Sequence, residues 1–476
     1  MGRLLRRHWL FALVLAAAAV LRAAMERAFG PAFMYLGDSL DYINVAYGHH
    51  FDEGHPLGYP AILFFLGLPG RSLWTISILQ HLAGLATGVL VYALLLRLRV
   101  HPIVAAAASA LVLLNSWTIV LEQHVMAEAF FTLALFAAVA LVVIRQDATA
   151  TAFSGLLLAA ATLMRVAGLF AIPVWLVYIA WKGRAPRAIA TAGAAVLIPL
   201  VGYLSVHAAV GRGFAFTEWD GWLLYGRVAE IAHCRVMDVP KGTRPLCESP
   251  KLRAHRRFEQ WTPSAYVFRA KSPAHRLYGD AVTAGPNAQL KRFAIAAIRA
   301  RPLAYLHIVG RDFTYYFRPA YWRRGFDPGI VLYEQDRRRH YLDWSSILRT
   351  YFPGYTIAKA WPMHAVVKVS WRTRPPRPLL AALTLSALVS MLLAVAGRGR
   401  FSLPRQAEST FFVLLALTIL LVSTAVVELN LRFLVPVLPL IACAGALSVT
   451  DLGALVLAAW RGHRRRDTAR AEPAAR

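Results

Sequence analysis

Long apolar blocks with few or no charges constrain this chain more than any other feature. They include 9–21, 76–96 and 411–427. A run of roughly 18 or more apolar residues crosses a ~30 Å hydrocarbon core as a helix. A helix is required because lipid offers no partner to a bare backbone N–H or C=O. The chain is 58% hydrophobic over 476 residues, above the ~45–50% usual for soluble domains. The expected fold class is an all-α polytopic membrane protein.

The blocks predict about ten spans, near 9–28, 72–96, 103–118, 127–144, 153–165, 167–181, 188–207, 379–396, 409–427 and 433–457. Basic residues recur in alternate connections: Arg3, Arg6 and Arg7; Arg97 and Arg99; Arg145; Lys182, Arg184 and Arg187; Arg398, Arg400 and Arg405; Arg461 and Arg464 to Arg466. Short basic loops stay in the cytoplasm, so one topology satisfies all of them, with both termini inside. The stretch 153–181 must then turn back on itself near Arg165, Gly168 and Pro173. The start, Met1 to Ala24, reads as an uncleaved first span rather than a signal peptide, because Leu21 to Ala24 is a poor cleavage site. The formal net charge of +27 is explained by these basic flanks, which anionic headgroups attract. No basic face interleaved with aromatics stands apart from the spans, so nucleic acid is not an expected partner.

Three segments fall outside in this topology: 29–71, a short one at 115–128, and a long one at 211–377. The organisation expected is a transmembrane module at 1–210, a small extracytoplasmic domain at 211–377, closing helices at 378–460 and a basic tail at 461–476. Within the long segment, 290–317 has the apolar spacing of an amphipathic helix broken near Pro302, suited equally to the membrane interface and to packing on the domain. Cys234 and Cys247 share that segment, where an oxidising compartment allows a disulfide. Cys443 lies within the last span and reads as a packing residue.

The outer segments hold the candidate chemistry. The first carries Asp38, Asp41 and Tyr42, then His49, His50, Asp52, Glu53, His55 and Tyr59. A carboxylate at a membrane interface can take a proton from a hydroxyl; a plain solvated loop is the bland alternative. Glu128 opens an apolar run at the outer boundary, where an ionisable group is costly, although a first-turn acid also complements a helix dipole. Arg165 and Arg432 are the cations at the same depth. Arginine clamps phosphate in a bidentate manner, and it also snorkels to headgroups. Two acids and two arginines at one depth fit a phosphate-bearing ligand.

Asp38 to Tyr42, followed by His55-Pro56-Leu57-Gly58-Tyr59-Pro60, resembles the first-loop signature of the GT-C glycosyltransferases. The protein O-mannosyltransferases and bacterial lipid A aminoarabinose transferases are the most similar in feel. The stretch from Gly155 to Arg165 is similar to the family's G-x-x-x-G-x-x-x-L-[TS]-[RK] segment, with Ala159 where a glycine is common. Arg432 to Pro439 is similar to its R-Y-x-x-P-x-x-P segment, with Phe433 replacing Tyr. Leu57 replaces a second proline. The resemblance covers about 9–210 and 378–450.

The resemblance implies an inverting hexosyl- or pentosyltransferase of a bacterial cell envelope, in the plasma (inner) membrane with its active site extracytoplasmic. The donor would be a polyprenyl-phosphate-linked sugar and the acceptor a glycan, lipid or protein. Asp38 would be the general base, with Asp41 the alternative. Glu128 would orient the acceptor or bind a metal, and Tyr42 and Tyr59 would contact substrate. His55, Arg165 and Arg432 would hold the donor phosphate. A divalent cation (Mg or Mn) is left open, because two carboxylates have no obvious third partner. A different class, a flippase or other transporter of lipid-linked glycans, needs charges along a midplane path. No Asp, Glu, Lys or Arg occurs in 76–96, 103–121, 379–396 or 411–427. A polymerase or ligase of lipid-linked glycans remains a related alternative.

Overall fold

A computed structural model describes residues 2–48, 54–67, 72–259, 261–279, 283–318, 350–353, 355, 360–397 and 403–471. Among these the secondary structure is helical, apart from one isolated parallel bridge between Phe33 and His124. Six helices are long and apolar enough to cross a membrane: Arg6–Phe29, Leu73–Arg97, Pro186–Ala209, Arg377–Ala396, Gln406–Val426 and Leu431–Arg461. Up to eight spans result if each of two bent pairs counts as one. The chain is therefore a polytopic helical membrane protein.

The difference from about ten expected spans has local causes. The block 103–118 divides into α5 (Pro102–Leu113) and α6 (Ser116–Gln123), bent by 44°. Asn115 forces the break: its side chain accepts the Trp117 N–H at 2.9 Å and caps α6. The next blocks form shorter apolar helices, α7 (Glu128–Ile144), α8 (Ala148–Met164) and α9 (Ala171–Trp181). Arg165 leaves the helix between α8 and α9, and a 3₁₀ turn follows at Val166–Phe170. The second bent pair, α15 (Asn287–Ala300) and α16 (Pro302–Tyr315), breaks by 100° ahead of Pro302.

Contacts fix the two ends of the helical bundle. Arg405 donates to the carbonyls of Leu98 and Arg99 just past α4 (Leu73–Arg97), and pairs with Asp451. Arg184 donates to the carbonyls of Val142 and Arg145 at the end of α7. Lys182 meets Glu408 at 2.9 Å. Cations capping C-terminal carbonyls are favourable, and here they gather the connections holding Arg99, Arg145, Lys182, Arg184 and Arg405 at one end. Glu128 opens α7 at the opposite end.

Two cores form. One runs through 91–200 and 380–447, so the early and late helices share it. The other lies in the long segment between the early and late helices, where α11 (Asp220–Ala229), α15 and their neighbours bury Trp222, Tyr225, Tyr266 and Phe293. Cys234 and Cys247 are bridged beside it, with Cα atoms 6.0 Å apart. Helix α15 packs into this core through Leu290, Phe293 and Ala297. Helix α16 leaves Leu303 and Leu306 79% and 61% exposed, an apolar strip that water disfavours and a bilayer surface suits.

Candidate functional site

The segment 29–48 folds against the segment 115–128. Helix α2 (Leu36–Gly48) carries Asp38 in its first turn, where the helix dipole favours a carboxylate. The Ser39 hydroxyl accepts the Tyr35 N–H at 2.7 Å and donates to the Val125 carbonyl at 2.9 Å. Phe33 pairs with Gln123 and Val125 through its N–H and carbonyl. These bonds bring Asp38 beside the start of α7 and hence beside Glu128. The segment 115–128, expected as an outer loop, contains a helix buried along its whole length, Ser116–Gln123. Its side chains are buried, although Ser116 Oγ and Thr118 Oγ1 lack hydrogen-bond partners, so it is not a solvated connection.

Gly58 opens α3 (Gly58–Gly67) against the end of α8: a Cβ there would lie 2.5 Å from the Leu163 backbone. That approach draws the His55-to-Pro60 motif toward Arg165. The Tyr42 ring sits 4.5 Å from His55 and 4.8 Å from Tyr59. Tyr59 is fully buried and donates to Gln80 Oε1 at 2.7 Å, while the Gln80 amide donates to the carbonyls of Glu122 and His124. Tyr42 and Tyr59 thus brace the two segments from behind.

Four distant parts of the chain meet in one ion-pair cluster. Arg432 Nη1 lies 2.7 Å from Asp38 Oδ2, and its Nε lies 3.9 Å from Glu128 Oε1. Arg165 pairs with the same Glu128 oxygen. His55 Nε2 lies 3.9 Å from Asp38 Oδ2. Phe433 lies beneath both guanidiniums, 5.5 Å from Arg165 and 5.3 Å from Arg432, and Tyr35 flanks Arg432 at 4.7 Å. Asp38 is the acid that hydrogen-bonds Arg432, with Glu128 farther off. The Asp41 carboxylate folds back toward the start of α2, 3.7 Å from where a Cβ on Gly37 would be.

Burial alone would raise the Asp38 carboxyl; the Arg432 guanidinium, helped by His55 and Arg165, overcomes it and holds the group below the ordinary value. Burial pushes the Tyr35 hydroxyl up to about 12, so it stays protonated. Glu128 Oε2 and Arg432 Nε are buried without hydrogen-bond partners. The cluster therefore keeps an acceptor and a donor in reserve. An anion can draw on the guanidiniums, and a hydroxyl can meet the carboxylates.

Two features escaped the sequence reading. Glu428 lies between the last two long helices and accepts the Ser264 N–H at 3.1 Å, linking the long segment 211–377 to the site. Burial raises its carboxyl despite Ser264 and Arg432 nearby. Its signal was an acid at the end of an apolar run, the mirror image of Glu128. A second charged network lies deeper, where Arg22 grips Glu122 through two 2.8 Å bonds and His81 Nδ1 meets Glu122 Oε2 at 2.8 Å. His81 belongs to the block 76–96, which lacks Asp, Glu, Lys and Arg but still places an ionisable side chain at depth.

His49, His50, Asp52 and Glu53 lie outside the described residues. Among the described residues no group of three or more His, Cys, Asp or Glu side chains is placed to hold a metal ion. No family model matches this chain, and no curated protein or solved structure does either.

Proposed function

We propose that this chain is an inverting glycosyltransferase that moves a sugar from a polyprenyl-phosphate donor to an acceptor hydroxyl at the outer face of a plasma membrane. The observation that carries the reading is the cluster itself. Asp38, Glu128, Arg165 and Arg432 come from four separate segments and meet at the end of the bundle opposite the basic connections. A membrane-facing site with two guanidiniums suits a lipid phosphate. The acids beside them suit a hydroxyl nucleophile.

In this reaction the acceptor oxygen attacks the anomeric carbon as its proton passes to the Asp38 carboxylate. The bond from the anomeric carbon to the phosphate oxygen breaks, and polyprenyl phosphate leaves with one more negative charge. Arg432 and Arg165 stabilise that charge as it develops. Glu128, fixed by both arginines, orients them and offers Oε2 to the acceptor. His55 supports Asp38 and the phosphate from the other side. The acceptor is a glycan, lipid or protein.

The test is transfer from a labelled polyprenyl-phosphate sugar by purified protein. Asp38→Asn keeps the shape and removes the basicity, so turnover should fall about 10²–10⁴-fold with donor binding nearly intact. Normal transfer by Asp38→Asn would remove the proposed base. One observation favours a second reading, a transporter of lipid-linked glycans: the buried network of Arg22, Glu122 and His81. That reading requires labelled lipid to cross the bilayer in reconstituted vesicles and no sugar to be transferred.

A further inference from the structure

Trp219 stands between α10 (Pro186–Ala209) and α11, near the start of the long segment 211–377. Its ring lies 5.7 Å from His55 and 6.5 Å from Phe268. Gly54 lies against the indole: a Cβ built there would come 2.7 Å from the ring. Through His55, Trp219 is one side chain removed from Asp38. Its Nε1 is buried and has no hydrogen-bond partner. A buried indole N–H ordinarily finds an acceptor, and leaving it unmet is costly. The Asp38 carboxylate already receives Arg432 and faces His55.

An indole combines a flat apolar face with a single donor at its edge. A sugar ring offers the matching pair, a C–H face and hydroxyl oxygens. A bare phosphate offers only the oxygens, and the guanidiniums of Arg165 and Arg432 already serve those. We propose that Trp219 recognises the sugar of the donor, packing against its ring and donating Nε1–H to a sugar oxygen, and so helps decide which sugar is transferred. This rests on the reading of the site as one for a polyprenyl-phosphate sugar.

The experiment measures equilibrium binding to the purified full chain of bare polyprenyl phosphate and of its glucosyl, mannosyl and arabinosyl derivatives. Wild-type protein should bind bare polyprenyl phosphate, and at least one glycosylated form more tightly. Trp219→Phe keeps a ring and deletes the donor. It should weaken the preferred glycosylated lipid about 3–10-fold, the worth of one hydrogen bond, and leave the bare lipid unchanged. Gly54→Ala displaces the indole without removing it and should give the same selective loss. Equal weakening of bare and glycosylated lipids, an unchanged preference in both variants, or no preference in wild-type protein would each overturn the role of Trp219. Failure of wild-type protein to bind even bare polyprenyl phosphate would instead overturn the parent reading, and this inference with it.

Discussion

Two charged clusters sit near each other in this protein, and they are built differently. In the deeper one, Arg22 spends its guanidinium on both Glu122 oxygens and on the carbonyls of Leu113 and Ala18. His81 closes the ring by meeting Glu122 on one nitrogen and Gln123 on the other. The Arg22 and Glu122 side chains are 3% and 2% exposed. Only Glu26 at its edge, 3.8 Å from His81, has carboxylate oxygens without hydrogen bonds. In the cluster around Asp38, Arg432 meets Asp38 through one bond, the two side chains are 13% and 19% exposed, and Glu128 and Arg432 each keep an unmet atom. A small cavity lined by Glu122, Glu128, Thr118 and Thr132 lies between them. The same residue types therefore do two jobs. A satisfied network locks helices together, and a partly satisfied, reachable one suits the ligand proposed for it.

The comparison breaks most visibly at Asp38. Asp38→Asn should lower turnover about 10²–10⁴-fold, roughly 3–5 kcal/mol of barrier, with little change in unfolding temperature. Glu122→Gln should do the reverse. It leaves Arg22 buried without a counter-charge, at a cost of about 3–5 kcal/mol in stability, while the fraction that stays folded keeps its turnover. Thermal unfolding in detergent, read beside the transfer assay, separates the two. A Glu122→Gln protein with unchanged melting and no transfer would reverse the roles assigned to the clusters.

A smaller effect concerns pH. Arg432 helps hold Asp38 below its ordinary value, near 3.9 for a free aspartate, so the base stays ionised and kcat/KM should be flat down to about pH 4. Arg432→Gln removes the opposing charge and leaves burial to act, so the carboxyl rises. The acidic limb of kcat/KM should then move to higher pH, on top of weaker donor binding. A limb that stays in place would show that Arg432 does not govern Asp38. The smallest effect is expected at Asp41: Asp41→Asn should change turnover less than about tenfold. Loss of transfer there, with near-normal Asp38→Asn, would move the base to Asp41.

What the sequence could reveal follows from how far each signal reaches. The apolar blocks are local, so the helical membrane class was readable from them. The cluster around Asp38 was readable because Asp38, His55, Glu128, Arg165 and Arg432 each sit where an apolar run meets a polar segment. The deeper network was not. Arg22 and Glu122 are a hundred residues apart, and His81 is hidden in a block that reads as plain lipid-facing helix. Their meaning lies in the pairing of helices, which no single segment displays. The break within the block 103–118 was hidden for a related reason. Asn115 prefers to cap a new helix rather than continue an old one, a local choice that hydropathy averages away.

The most direct test of the account is a structure of the protein determined with polyprenyl phosphate bound. The account predicts phosphate oxygens within about 2.7–3.2 Å of the guanidiniums of Arg432 and Arg165, beside Asp38, with the lipid tail running out along the apolar helices. Phosphate held instead in the buried network of Arg22 and His81, or away from both arginines of the cluster around Asp38, would contradict it.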